Sequence, residues 1–213
     1  MKTIRINLSI WLLATLISSG SVMACVQAKP IRGGRLAAQP DPKATLLQPM
    51  QQMVQKLKKL EATGDPDFDY AFQAKIHAQG AQDFLKIAMQ NAKDASLKDM
   101  AQTLSASAQT DITMLDGTLR QLKPSRPNQA FTQQQSRNIE AMNLKLQQTG
   151  SSDRLTSDID KNVIVLLSEH QQDAIDMATT FLQYGKNTAQ RTYAQQLIDK
   201  AQTQRARLSA MPK

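Results

Sequence analysis

His77 and His170 are the only histidines of this 213-residue chain, and they lie 93 positions apart (170 − 77). The same offset, carried without a gap, pairs identical residues on both sides of them. Asp65 meets Asp158, Asp67 meets Asp160, Gln79 meets Gln172, Ala81 meets Ala174, Asp83 meets Asp176 and Lys93 meets Lys186. Further on, Ala101-Gln102 meets Ala194-Gln195, and Ala108-Gln109-Thr110 meets Ala201-Gln202-Thr203. An ungapped self-match of this length predicts an internal duplication. A duplicated unit must fold as two copies of one element whose apolar faces cover each other.

The element is helical. Leu46, Leu47, Met50, Met53, Val54, Leu57 and Leu60 recur at helical spacing, and Gly64 stops the run. Asp65-Pro66 then opens a second helix, an acid at the cap followed by proline in the first turn. Phe72, Ile76, Gly80, Phe84 and Ile87 form its stripe. A break at Asp94-Ala95-Ser96 leads to a third helix through Leu97, Ala101, Leu104, Ala108 and Leu115. The loop Lys123–Asn128 carries two prolines and divides the copies. The second copy repeats the plan. A fourth helix ends at Thr149-Gly150, and Ser151 to Ser157 read as a seven-residue insertion. A fifth helix runs through Leu166, His170, Ala174 and Met177, Gly185 turns the chain, and a sixth helix follows. No stretch alternates with period two, so no strand is expected. The expected fold class is all-α: two repeated helical hairpins packed into a four-helix bundle, with two additional packing helices, six in total. The expected parts are a signal peptide over 1–24, a tether over 25–43, a first repeat over 44–122, a loop over 123–128 and a second repeat over 129–213. Both repeats belong to one domain.

The leader predicts export. Lys2 and Arg5 precede an apolar run, Leu8 to Ile17, too short for a settled membrane span. Val22-Met23-Ala24-Cys25 resembles a lipobox, in which Cys25 becomes a lipidated first residue. Cys25 is the only cysteine, so it forms no internal disulfide, and a Pro/Gly-containing stretch suited to a tether follows it. The competing reading is plain secretion, with cleavage after Ala24 or Ala28. The expected location is the cell envelope: an outer-membrane lipoprotein facing the periplasm, or otherwise a soluble periplasmic or secreted protein. The membrane contact would run through Cys25.

The net charge of +8 is spread along polar faces rather than gathered. The only tryptophan, Trp11, lies in the leader. No nucleic-acid partner is therefore expected. Catalytic patterns are missing too. There is no Gly-x-Ser-x-Gly elbow and no phosphate-cradling glycine loop. A di-iron centre needs Glu-x-x-His pairs, and none of Glu61, Glu140 and Glu169 stands three residues before a histidine. The expectation is a non-enzymatic protein with no catalytic residue.

The run Glu169-His170-Gln171-Gln172-Asp173-Ala174-Ile175-Asp176-Met177-Ala178, then Tyr184-Gly185-Lys186, Tyr193-Ala194-Gln195 and Ala201-Gln202, resembles the bacterial domain of unknown function 305 family. The resemblance covers about Asp65 to Leu115 and Asp158 to Met211. It implies a ferritin-like, secreted or periplasmic protein, often in two tandem units, with copper bound by His and Met side chains in some members. The family's second histidine is Gln171 in one copy and Ala78 in the other, its methionine is Phe84 in the first copy, and its downstream acid falls on Ile112 and Arg205.

His170 lies on the apolar stripe of its helix and His77 at the edge of the equivalent one. Packing about a two-fold axis would bring the imidazoles together. With Met177 they form the expected metal site, His77, His170 and Met177, with Met89, Met100 or Met114 nearby. Neutral imidazole and thioether suit copper. The plainer alternative is that both histidines satisfy core hydrogen bonds, that the methionines fill space, and that the protein is a helical interaction module of the envelope. Asp83 and Asp176 would orient the imidazoles or, since positions six apart diverge on a helix, face solvent.

Overall fold

Helix α1 (Pro42–Lys59) starts because Asp41 accepts from Lys43 N at 3.0 Å and proline fills the first turn, where its missing N–H costs nothing. It thus takes in the last two residues expected in the tether. The computed structural model describes residues 41–211, so the signal peptide and Cys25 lie outside the described residues.

Five more helices follow: α2 (Pro66–Asn91), α3 (Ala95–Gln121), α4 (Gln129–Ser151), α5 (Ile159–Tyr184) and α6 (Thr188–Ser209). The described residues contain no strand. The described residues form an all-α bundle of six helices. Between α1 and α2 the chain turns at Gly64, whose φ of +84° lies in the left-handed region. Asp65, Asp94, Asn128, Asp158 and Asn187 cap the helices they precede with their side chains.

Helices α2 and α5 pack against each other at the centre, and α3 and α6 pack back on them as hairpin partners. Helices α1 and α4, expected merely to flank, close a ring with α2 and α5, because α1 packs on both α2 and α4. On the other side α3 and α6 scarcely touch. The bundle is closed on one side and split on the other.

The 93-residue correspondence runs through the contacts. Asp67 accepts from Lys186 N (2.8 Å) and Asn187 N (3.0 Å), at the turn between α5 and α6. Asp160 accepts from Lys93 N (2.7 Å) and Asp94 N (3.0 Å), at the turn between α2 and α3. Each hairpin is tied by the other's second acidic residue. Asp69 accepts from Thr63 N, and its counterpart Asn162 accepts from Thr156 N. Thr63 therefore corresponds to Thr156, not Thr149, and the expected seven-residue insertion is absent. Helix α4 does not stop at Gly150; it runs to Ser151, as α1 runs to Lys59. The buried positions Leu46, Pro49, Met50 and Met53 of α1 match the buried Ile139, Met142, Asn143 and Leu146 of α4 at the same offset. The offset thus reaches helices where residue identity has faded.

Where α1 crosses α2, Met53 lies over Gly80. A methyl group on Gly80 would stand 2.6 Å from Met53 Cβ, Cγ and Sδ. Gly80→Ala should therefore destabilise by roughly 1–3 kcal/mol through overpacking, although alanine is the better helix former. Denaturant titration checks this; unchanged or raised stability would show that the crossing is slack.

Candidate functional site

The two histidines meet. Their rings stack with centroids 3.7 Å apart and planes 23° from parallel, and each residue is 5% exposed. His77 is fully inside rather than at an edge. Ser107 on α3 and Lys200 on α6, also 93 apart, are bonded side chain to side chain. Both contacts join residues that are equivalent under the offset, and together they define a line through the bundle.

The split between α3 and α6 leaves a cavity of about 50 Å³ along that line. Its floor is small, with Ala74, Ala78, Ala81 and Ala174, and His77, His170 and Met177 border it. Its mouth carries Asp111 and Lys200, which pair at 4.0 Å. Burial pushes the Asp111 carboxyl up, and Lys200 partly offsets this.

Hydrogen bonding decides the state of the imidazoles. His170 Nε2 lies 3.3 Å from the His77 carbonyl oxygen. A carbonyl only accepts, so Nε2 carries the hydrogen. Burial lowers the His170 pKa to about 4. Burial first, and the adjacent His170 imidazole second, hold His77 well below the usual histidine range. Both rings are neutral at pH 7, and His170 Nδ1 is a bare lone pair. That atom and His77 Nε2 are buried without a hydrogen-bond partner. An orphaned ring nitrogen whose other nitrogen is fixed by a backbone carbonyl is the arrangement that prepares a histidine for a metal. The donors fit a soft or borderline ion: two neutral imidazoles and the Met177 thioether, itself 1% exposed. The stack must open before both nitrogens can reach one ion. Among the described residues there is no group of three or more His, Cys, Asp or Glu that could hold a metal.

Of the residues named from sequence, His77, His170 and Met177 share this cavity. Met89, Met100 and Met114 do not border it; Met100 packs into the core and Met114 is exposed. Asp83 is exposed, and Asp176 accepts from Gln172 Nε2 at 2.7 Å without bordering the cavity.

A second, smaller cavity of about 10 Å³ also borders His170. Met50 and Met53 of α1 and Met142 of α4 line it, with Asp173, Lys145 and Glu169. Asp173, 7% exposed, accepts from Lys145 Nζ at 2.6 Å. Burial raises its pKa to about 6 against the opposing pull of Lys145. Sequence reasoning missed this group. Its one local signal was the Met50-x-x-Met53 spacing, which places both thioethers on one face of α1.

The family model of domain of unknown function 305 matches residues 67–212. No curated protein and no solved structure matches the chain.

Proposed function

We propose, on the premise that the chain belongs to the domain of unknown function 305 family, that it is a non-enzymatic envelope protein that binds copper as Cu(I) through His77, His170 and Met177. The observation that carries this is the pair of buried, partnerless ring nitrogens, one on each histidine, at a cavity that also holds a thioether. Leaving such atoms unpaired costs stability, so a fold that keeps one on each of two stacked imidazoles favours a ligand that uses both once the stack opens. Neutral nitrogen and sulfur donors select Cu(I) over hard cations such as Ca²⁺ or Mg²⁺, which take oxygen. The 93-residue correspondence, with equivalent residues meeting on one line, supports reading the chain as two tandem copies of one unit fused about a two-fold axis, with the site on that axis. No described helix is long and apolar enough to cross a membrane. Attachment through a lipidated Cys25 is the part of the proposal that places the protein at the envelope surface, and mass spectrometry of the mature N-terminus tests it.

Anaerobic Cu(I) titration of the full chain, with Cu(II) in parallel, tests the site. The expected result is tight stoichiometric Cu(I) binding that the His77→Ala/His170→Ala double variant loses while keeping its helical circular dichroism. Binding that is absent, or unchanged in that variant, would leave the helical interaction module as the reading. The His170–His77 carbonyl bond and the stacked rings would then be core packing.

A further inference from the structure

A third cavity, of about 210 Å³, opens between α1, α2 and α4 beside the α1–α2 turn. Leu57, Leu60, Phe131 and Ile139 make its walls apolar, and Lys58 and Glu140 pair at its rim at 2.9 Å. Asp69 and Gln73, about one turn apart on the same face of α2, form its polar floor and are 2% and 4% exposed. The Asp69 carboxylate accepts from Thr63 N, Thr63 Oγ1 and Gly64 N, all neutral donors. No ion pair among the described residues includes it. Gln73 Oε1 is buried with no hydrogen-bond partner. The terminal torsion of a glutamine is broad, so this oxygen turns toward a donor in the cavity at little cost.

The repeat shows that the turn does not need this chemistry. At the 93-residue offset Asp69 corresponds to Asn162, Gln73 to Leu166, and Ala62, which also borders the cavity, to Leu155. Asn162 carries the matching turn without a charge: it accepts from Thr156 N at 2.8 Å, as Asp69 does from Thr63 N at 2.9 Å. Leu155 and Leu166 are each 1% exposed. The second half thus puts two buried leucines and a neutral amide where the first half keeps an opening, a carboxylate and an unpaired oxygen. A buried charge without a counter-ion and a buried acceptor without a donor both cost stability. A ligand that brings positive charge and N–H donors would satisfy both.

We propose that this cavity binds a small organic ammonium ion, with its N–H donors on Asp69 and Gln73 and its alkyl body between Leu57, Leu60, Phe131 and Ile139. The Lys58–Glu140 pair cancels at the rim, so the lining offers one uncompensated negative charge to one positive charge. The apolar walls suit an alkyl chain and not a hard inorganic cation, which takes oxygen donors on every side. The site contains neither histidine and does not rest on the copper reading.

n-Butylammonium tests this on the full chain with ¹⁵N-labelled amides. Saturable shifts are expected at Asp69, Gln73 and Phe131. n-Butanol, which keeps the alkyl body and lacks the charge, should bind roughly tenfold more weakly. Asp69→Asn and Gln73→Leu each bring in the residue of the second half. They should weaken n-butylammonium roughly tenfold and threefold while the helical circular dichroism is kept. Gln73→Leu leaves the Thr63 and Gly64 bonds intact, so it decides the matter if Asp69→Asn loosens the turn. His77→Ala/His170→Ala should bind the amine as the unmodified chain does. No saturable shift, equal binding of n-butanol, or unchanged affinity in both variants would overturn the proposal. Displacement of the amine by an equal concentration of potassium chloride would also overturn it, by placing an inorganic cation there.

Discussion

Asp67→Ala should cost roughly 3–5 kcal/mol, a large part of the stability of a domain this size. Asp67 is 3% exposed. Its carboxylate accepts from Lys186 N and Asn187 N through one oxygen and from Arg126 Nη2, at 2.5 Å, through the other. One residue therefore ties the start of α2 to the α5–α6 turn and to the loop between the halves. Removing it leaves two amides and a guanidinium unpaired around a space the backbone cannot refill. Arg126 is half exposed and recovers water; the amides recover less. Asp67→Asn keeps one acceptor and should lose about half as much. Asp160 has the equivalent role at the other turn, but its bonds there are solvent-exposed. Asp160→Ala should accordingly cost only about 1 kcal/mol. Chemical denaturation of the three variants reads the difference. Equal losses at the two positions would mean that burial does not set the strength of these ties.

That contrast shows what was legible in the chain before its structure. The 93-residue offset carried the helix plan, the capping acids and the approach of the two histidines, because a repeat written in identities constrains packing symmetrically. It could not show where symmetry is broken. Ser107 and Lys200 are equivalent yet form one mixed pair, and Asp67 and Asp160 are equivalent yet differ in burial. The seven-residue insertion was misread because Thr149-Gly150 imitates Thr63-Gly64 locally. The true partner of Thr63 is Thr156, identified by the hydrogen bond each makes to a residue six places on. The methionine cluster was harder to see. Met50, Met53 and Met142 meet across two helices that share almost no identity, and Met142 corresponds to Pro49. A buried polar residue such as Asp173 is likewise invisible to periodicity, because a carboxylate is buried there only with Lys145 reaching it from α4.

Lowering the pH from 7 to 5 should destabilise the metal-free protein by roughly 2 kcal/mol, and the histidine pair sets the sign. In the unfolded chain a histidine takes a proton near pH 6.5. In the fold His170 does so only at about 4, because burial penalises its charged form, and His77 is also held well below its ordinary value. Between those limits the unfolded state binds protons that the folded state refuses, so stability falls as the pH falls. Asp173 acts the other way. Burial raises its pKa to about 6, so between about 6 and 4 the fold keeps a proton that the unfolded chain has released, and acid favours the fold. Asp111, raised less, adds to this near the lower end. Two histidines against one strongly raised carboxyl leave a net loss, a little under one proton's worth across the window. Two variants separate the contributions. In His77→Leu/His170→Leu only the carboxyls remain, and stability should rise by about 1 kcal/mol from pH 7 to 5. In Asp173→Asn the opposing group is gone, and the loss should steepen to nearly 4 kcal/mol. Denaturant midpoints across this range measure all three. A wild-type profile that is flat or rises toward pH 5 would show that the stacked imidazoles accept a proton in the fold, and with it the bare lone pair on His170 Nδ1 would be lost as a ligand.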